Sequence, residues 1–157
     1  MDSLAQNLIQ KLKQKNLTIA FAESCTGGLA SHRLTNIPGA SEVFLGSLIV
    51  YSNTLKKNLL EVSQRILDKF GSVSEECAKA MVQGLFEKTH ADVCVSITGI
   101  AGPDGGTQDR PVGTVFVGYL FFGKDLKVER YFFPSSRLEC KEKTVSEIFQ
   151  KILFFIS

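Results

Sequence analysis

An almost continuous apolar run at residues 92–98, DVCVSIT, constrains the fold more than any other segment of the chain. A strand with one wet face alternates apolar and polar residues, whereas a strand with almost no polar positions is covered on both faces. Helices are the usual covering layers of such a sheet. The run therefore predicts a central strand inside a layered α/β domain.

Four further strand-like segments and six helical segments surround this run. Strands are predicted at 17–22, 43–51, 114–122 and 126–133, and helices at 2–15, 26–36, 53–60, 63–70, from Ser74 onward, and at 138–156. The three-residue gap at 123–125 indicates an antiparallel hairpin between the last two strands. The predicted fold class is α/β, a three-layer α/β/α sandwich with a mixed five-stranded sheet, and we expect residues 1–157 to form one domain.

Charge and composition narrow the classes of partner. The 157 residues carry 18 basic and 16 acidic side chains, a net charge of +2 with no basic block. Neither nucleic acid nor an anionic membrane surface is therefore a predicted partner. No apolar stretch reaches the roughly 18 residues of a membrane span, and the N-terminus lacks the apolar core of a signal peptide. We expect a cytoplasmic protein.

The cysteines and histidines show no metal-binding pattern. The four cysteines, at positions 25, 77, 94 and 140, form no C-x-x-C pair, and His32 and His90 have no ligand spacing to them. Reduced thiols are the expectation, with no metal and no cofactor. A Ser-His-Asp triad is not favoured, although two histidines alone do not exclude one.

The segment ESCTGG at 23–28 connects a predicted buried strand to a predicted helix. Ligands of open α/β sheets usually bind at this carboxyl end of the strands, and helix N-terminal N–H groups suit an anion such as phosphate. The alternative is an ordinary turn in which Ser24 or Thr26 caps the helix. Cys25 is also a candidate nucleophile, because a helix N-terminus lowers the pKa of a thiol.

A second glycine-rich segment, TGIAGPDGG at 98–106, follows the central strand. So many glycines cost backbone entropy unless a positive φ or a close approach requires them. The segment matches neither the P-loop nor the dinucleotide-binding pattern. It is either a loop that lines the substrate site or a merely tight structural connection.

Two groups of polar side chains complete the candidates. Ser41, Tyr51 and Lys56 form a weak pattern on their own; a buried lysine can serve as a base for a serine nucleophile where no histidine does so. Arg137 and Lys141 share one face of the last predicted helix. They either clamp an anionic substrate or decorate the surface.

Together these segments resemble one family. AESCTGGLAS (22–31), VYSNTLKKNLL (50–60), VSITGIAGPDGG (95–106) and RPVGTVFVG (110–118) are similar, in order and spacing, to the CinA C-terminal domain family. Some of its members are stand-alone nicotinamide-nucleotide amidohydrolases, also called NMN deamidases, and the chain looks like that form. The resemblance runs from about residue 4 to residue 153. It departs at Ser135-Ser136-Arg137, where the family usually has Gly-Asp-Arg.

The resemblance implies hydrolysis of nicotinamide mononucleotide to nicotinic acid mononucleotide and ammonia, without a metal. It assigns the nucleophile to Ser41, the helper hydroxyl to Tyr51 and the base to Lys56. One of the two glycine-rich segments is expected to stabilise the oxyanion. The residues expected to bind substrate are Ser24, Cys25, Thr26, Gly27, Gly28, Asn53, Thr98, Gly99, Ala101, Gly102 and Arg137.

Two other functions stay open at this point. A protein of the same fold that binds a nucleotide without turnover, as a sensor or scaffold, is favoured by the altered Gly-Asp-Arg segment. A part in DNA uptake or damage is suggested by the family name, but the near-neutral charge speaks against direct contact with DNA. We also expect a homo-oligomer, because small enzymes with exposed sheet edges often associate.

Overall fold

A computed structural model describes residues 2–157; Met1, the first residue of the predicted domain, lies outside the described residues. Five strands form one mixed sheet in the order β2-β1-β3-β4-β5. β2 and β3 flank β1 in parallel, and β4 and β5 continue the sheet antiparallel. The strands are β1 Ile19–Glu23, β2 Phe44–Ile49, β3 Val93–Gly99, β4 Thr114–Phe121 and β5 Asp125–Phe132.

Within residues 2–157, six α-helices cover the two faces of the sheet. They are α1 Ser3–Gln14, α2 Leu29–Thr35, α3 Asn53–Leu60, α4 Gln64–Phe70, α5 Glu75–Thr89 and α6 Arg137–Phe155. Buried side chains of α1, α2 and α6 share one apolar cluster, and those of α3, α4 and α5 share the other. The predicted three-layer α/β/α sandwich with a mixed five-stranded sheet is therefore confirmed.

Successive side chains of a strand belong alternately to the two apolar clusters, one on each face of the sheet. Phe21 of β1 belongs to the first cluster, and its neighbours Ala20 and Ala22 to the second. In β3, Val95 and Cys94 divide in the same way. All residues of β1 are buried, as are those of β3 up to Thr98, which is the burial that the apolar run predicted.

Most predicted boundaries lie within two residues of the observed ones, but the start of α2 was wrong. Residues 26–36 were predicted to be helical, whereas the helix begins at Leu29. Residues 24–27 form a turn instead, in which the Gly27 N–H donates to the Ser24 carbonyl. A side chain on β1, described below, holds this turn.

A close approach of two helices fixes the position of α3. Gly84 of α5 faces the end of α3, and a Cβ built on it would lie 2.0 Å from the Leu60 carbonyl oxygen. Only glycine lets the two backbones come this near. Because α3 carries Lys56, this contact also positions the lysine.

No helix within residues 2–157 combines the length and the apolar character that crossing a bilayer requires.

Candidate active site

A cavity of about 280 Å³ opens beside the carboxyl ends of β1 and β3. This edge is where open α/β sheets usually bind ligands, and the volume is near the lower end of small-molecule sites, about 300–1,000 Å³. Its walls come from five connections of the fold. The lining residues are Ser24, Cys25, Tyr51, Lys56, Ser72, Val73, Thr98, Gly99, Ile100, Ala101, Gly102, Asp104, Gly105 and Arg137.

A serine and a lysine lie in direct contact in this cavity. The Lys56 Nζ is 2.8 Å from the Ser24 Oγ, and both residues are buried, with 2% and 7% of their surface exposed. The same Nζ is 2.9 Å from the Val50 carbonyl oxygen and 3.1 Å from that of Tyr51. Three acceptors therefore surround a buried amine.

This arrangement suits both protonation states of Lys56. The ammonium form donates one N–H to each of the three oxygens. The neutral form donates to the two carbonyls and directs its lone pair at Ser24, so it can accept the hydroxyl proton. Burial lowers the pKa of Lys56, because desolvation disfavours the charged form; the nearby thiols of Cys77 and Cys25 act weakly in the opposite direction.

Local structure explains how the lysine reaches the serine. The chain leaves β2 and turns into α3 at Ser52, whose hydroxyl accepts the Leu55 N–H at 3.1 Å and caps the helix. Lys56 then lies on the buried face of α3, next to the end of β1. Ser24 directly follows β1, and β1 and β2 are parallel, so both connections lie at the same edge of the sheet.

The structure places Ser41 far from this cavity, which corrects the assignment of Ser41 as nucleophile. Ser41 lies exposed in the short 3-10 helix Ala40–Glu42, ahead of β2. The six residues of β2 rise roughly 20 Å in total, at about 3.3 Å each, before the chain reaches Tyr51. Ser41 is therefore at the amino end of the strand, while the cavity is at the carboxyl end.

A buried carboxylate holds the turn that carries Ser24. Glu23 is fully buried and accepts hydrogen bonds from the Thr26 and Ser31 hydroxyls at 2.7 and 2.6 Å. It also accepts the backbone N–H groups of Gly28, Ala30 and Ser31 at 3.1, 3.2 and 3.0 Å. Glu23 belongs to the ESCTGG segment, but nothing in the pattern shows that its side chain folds forward over the next eight residues.

The Glu23 contacts favour neither of the two alternatives given for the ESCTGG segment, an anion site or a turn capped by Ser24 or Thr26. The N-cap of α2 is Gly28, so neither Ser24 nor Thr26 caps the helix. The N–H groups that would meet a phosphate already donate to Glu23. Within residues 2–157, no oxygen accepts the N–H groups of Cys25 and Thr26.

Four residues predicted to bind substrate do not line the cavity. Thr26 is fully buried, and its hydroxyl serves Glu23. Gly27 and Gly28 form the outer part of the turn, where both have a positive φ. Asn53 is exposed at the start of α3.

Cys25 lines the cavity but lacks the environment of an activated thiol. Burial raises its pKa to about 12, with a further contribution from Cys140. A thiol with such a pKa is protonated at neutral pH and is a poor nucleophile. All four cysteines are free and buried.

The second glycine-rich segment forms part of the cavity wall. Thr98, Gly99, Ala101 and Gly102, which were predicted to bind substrate, all line the cavity. The Thr98 hydroxyl donates to the Ser72 carbonyl at 2.7 Å, which ties this wall to the connection before α5. Within the described part of the chain, no oxygen accepts the N–H groups of Ala101 and Gly102.

Arg137 bridges two walls at the mouth of the cavity. Its guanidinium donates to the Tyr51 hydroxyl at 3.0 Å and to the Gly102 carbonyl at 2.7 Å. Ser136 caps α6 by accepting the Glu139 N–H at 3.3 Å. Although Ser135 and Ser136 replace the family's usual Gly-Asp, the helix is still capped and Arg137 still reaches the cavity. Lys141 does not line the cavity; it lies beside Gly27.

Sequence reasoning missed part of the lining. Ser72, Val73 and Asp104 border the cavity. Asp104 lies in the quoted glycine-rich segment, so its neighbours could have indicated it. Ser72 and Val73 come from a separate connection between helices, and no local pattern links that connection to the site.

A larger cavity of about 500 Å³ lies at the hairpin between β4 and β5. Its lining consists of Phe121, Phe122, Lys124, Asp125, Leu126, Lys127 and Phe155. Its lining contains no serine, cysteine or histidine.

The sequence model of the CinA C-terminal domain matches residues 1–156 of the chain. The chain belongs to the CinA C-terminal domain family. A CinA-like protein from Pseudothermotoga lettingae is 46% identical over 136 residues, which are 86% of this chain and 33% of that protein. One from Petrotoga mobilis is 44% identical over 151 residues, which are 96% of this chain and 37% of that protein. The chain thus spans about a third of the length of the curated relatives it matches.

Solved structures of the family share the fold of this CinA domain over almost its whole length. The competence/damage inducible protein CihA from Agrobacterium tumefaciens has a TM-score of 0.94 at 31% identity, covering 99% of this chain and 94% of that one. The competence or damage-inducible protein from Enterobacter asburiae has a TM-score of 0.93 at 30% identity, covering 98% and 96%.

Proposed function

We propose that this CinA C-terminal domain hydrolyses the carboxamide of nicotinamide mononucleotide, giving nicotinic acid mononucleotide and ammonia. Ser24 is the nucleophile and Lys56 the general base. One observation carries the assignment: a buried lysine amine lies 2.8 Å from a buried serine hydroxyl, at the floor of a cavity of small-molecule size. A serine next to a desolvated lysine is an activated nucleophile.

Acylation follows from the geometry of this pair. Neutral Lys56 takes the Ser24 hydroxyl proton, and the Ser24 Oγ attacks the carboxamide carbon. The two carbonyls of Val50 and Tyr51 hold the other two N–H bonds of the amine, so its lone pair keeps its direction. The tetrahedral intermediate then loses its amine, which receives the proton from the Lys56 ammonium and leaves as ammonia.

Backbone N–H groups are the proposed donors to the oxyanion. Cys25, Ala101 and Gly102 line the cavity, and their N–H groups donate to no oxygen of residues 2–157. Each well-placed donor contributes about 3–4 kcal/mol to such a transition state. Both glycine-rich segments thus supply candidate donors.

Deacylation reverses the roles. Lys56 takes a proton from water, the resulting hydroxide attacks the acyl carbon, and the bond from that carbon to the Ser24 Oγ breaks. Ser24 then recovers its proton from Lys56. The products are the free carboxylic acid and the enzyme in its starting protonation state.

The charges around the cavity support a dipolar substrate of this kind. Nicotinamide mononucleotide carries a cationic pyridinium ring and an anionic phosphate. A neutral Lys56 avoids repulsion of the ring, and burial lowers the pKa of Lys56 in the required direction. Arg137 and Asp104 also line the cavity. The Arg137 guanidinium is a cation for the phosphate, and the Asp104 carboxylate is available to the rest of the nucleotide.

The proposal is tested by measuring ammonia release from nicotinamide mononucleotide, with its riboside and free nicotinamide in parallel. We expect turnover of the mononucleotide, weaker turnover of the riboside and none of the free base. Binding of the mononucleotide without ammonia release would instead support the nucleotide-binding protein without turnover.

A further inference from the structure

We propose that Glu23 is a positioning residue that fixes Ser24 for attack and keeps the anionic group of the substrate away from α2. This inference rests on the proposed function, because it assigns Ser24 as the nucleophile. Glu23 touches neither Lys56 nor, by its position, the substrate. It acts through the turn that carries Ser24.

The contacts of Glu23 span the whole turn after β1. Its carboxylate receives the hydroxyls of Thr26 and Ser31, the more distant hydroxyl of Ser47 at 3.5 Å, and three backbone N–H groups, from residues 28, 30 and 31. Glu23 itself is the last residue of β1 and is held in the sheet. One buried side chain therefore links the rigid end of the strand to the first turn of α2.

Ser24 is the residue that this link encloses. Its N–H donates to the Ile97 carbonyl of β3 at 3.0 Å, and its carbonyl accepts the Gly27 N–H at 3.0 Å. The first bond ties Ser24 to the sheet, and the second closes the turn. The carboxylate of Glu23 then holds the far side of that turn, so the direction of the Ser24 hydroxyl toward Lys56 depends on it.

The chemistry requires a carboxylate at this position. Backbone N–H groups can only donate, and an ionised carboxylate can only accept, with room for about four hydrogen bonds or more on its two oxygens. An amide of the same shape would turn its own NH₂ group against some of these donors. A buried donor left without an acceptor is costly, and the turn would shift to relieve it.

The same contacts direct where a substrate anion binds. The N–H groups at the start of α2 already meet a negative charge from within the protein. A phosphate placed there would compete with Glu23 and face its charge. The anionic group is therefore directed to the Arg137 side of the cavity, where the guanidinium lies at the mouth.

The test compares Glu23→Gln and Ser31→Ala with the matched control Asp92→Asn. Asp92 is also a carboxylate that accepts a backbone N–H and a hydroxyl, both from Thr18, at 2.8 and 3.0 Å. It lies ahead of β3, at the amino end of that strand and away from the cavity. Ser31→Ala removes only one contact of Glu23 and keeps the test usable if Glu23→Gln does not fold.

We expect Glu23→Gln to lower kcat about 100-fold with KM little changed, because displacement of a reacting group by about 1 Å costs this much. Ser31→Ala should lower kcat by a smaller factor. Asp92→Asn should lose thermal stability but keep kcat per folded molecule. Wild-type kcat in both Glu23→Gln and Ser31→Ala, or an equal loss of kcat in Asp92→Asn, would overturn the proposal.

A second readout separates this inference from the choice of substrate. A fluorophosphonate modifies activated serines, so its rate of reaction at Ser24 reports the nucleophile without nicotinamide mononucleotide. Slower labelling in Glu23→Gln and Ser31→Ala than in wild type and Asp92→Asn supports the positioning role even if no ammonia is released. Equal labelling rates in all four proteins overturn it, and absence of labelling at Ser24 in wild type overturns both proposals.

Discussion

The two ends of the sheet carry similar side chains but different chemistry. At the amino end of β2, Ser41 lies exposed on a single 3-10 turn. At the carboxyl end of β1, Ser24 is buried and in contact with the amine of Lys56. A hydroxyl in water remains weakly nucleophilic, whereas a hydroxyl next to a desolvated amine can lose its proton to it. The proposed choice of Ser24 over Ser41 therefore rests on the partner of the hydroxyl and on its burial.

Substitution of each of the two serines should have the largest difference in effect. Ser24→Ala should lower turnover of nicotinamide mononucleotide by about 10⁴-fold or more, since removal of a serine nucleophile leaves only binding and oxyanion stabilisation. Ser41→Ala should keep wild-type kcat and KM. Ammonia release measured for both variants checks this. The reverse pattern would restore Ser41 as nucleophile.

Replacement of the base has the next largest effect. Lys56→Arg should lower kcat by about 10²–10⁴-fold, because arginine does not deprotonate in proteins and a general base contributes this much. Wild-type kcat should rise with pH through the lowered pKa of Lys56. The matched control is Lys57→Arg on the exposed side of α3. Near-normal kcat in Lys56→Arg would show that Lys56 is not the general base.

The carboxyl end owes its arrangement to contacts that local sequence does not encode. Apolar runs and the glycines between them indicate where strands begin and end, and both signals extend over only a few residues. The strands of the sheet could therefore be predicted from the sequence. Ser24 and Lys56 are 32 positions apart, and only the parallel pairing of β1 and β2 brings their connections together. Tyr51 and Lys56, two of the residues that the resemblance assigns to catalysis, line the cavity, whereas Ser41, which it assigns as the nucleophile, precedes β2.

The start of α2 shows the same limit in another form. Helical residues were predicted from Thr26, whereas Glu23 draws residues 24–27 into a turn and the helix begins at Leu29. A carboxylate followed by serine, threonine and glycine residues is equally typical of a turn in which the carboxylate is exposed to water. Its burial depends on α2 packing over the end of β1, which is a tertiary contact.

Arg137 should affect substrate binding, which KM reports. Arg137→Gln should raise KM about tenfold, because one charge-assisted hydrogen bond is worth about 1.5–3 kcal/mol and 1.4 kcal/mol is a factor of ten. Lys141→Gln, on the same helix but outside the cavity, should change KM little. Steady-state kinetics over a range of nicotinamide mononucleotide concentrations distinguishes the two. A larger rise in KM for Lys141→Gln would move the anion site to the Gly27 side.

Stability should respond to Lys56 through pH. The pKa of Lys56 is lowered in the folded state, so between that pKa and about 10.4 the unfolded chain holds one more proton. Stability relative to Lys56→Met therefore rises with pH, by up to about 1.4 kcal/mol per pH unit within this window. Urea unfolding of both proteins at pH 7 and pH 9.5 measures the difference. A difference independent of pH would contradict a desolvated amine.

Chelation should have the smallest effect. Within residues 2–157, no three His, Cys, Asp or Glu side chains are arranged to bind a metal ion. Ammonia release should be the same with and without EDTA. Activity lost on chelation and restored by a divalent cation would contradict a mechanism run by Ser24 and Lys56 alone.

Trapping of the covalent intermediate identifies the nucleophile directly. The methyl ester of nicotinic acid mononucleotide has a better leaving group than the amide, so acylation outpaces hydrolysis and the acyl-enzyme accumulates. After an acid quench, peptide mapping by mass spectrometry locates the nicotinyl nucleotide on the protein. We predict the adduct on Ser24, and none in Ser24→Ala. An adduct on Ser41 or Cys25, or ester hydrolysis at the wild-type rate in Ser24→Ala, would contradict the account.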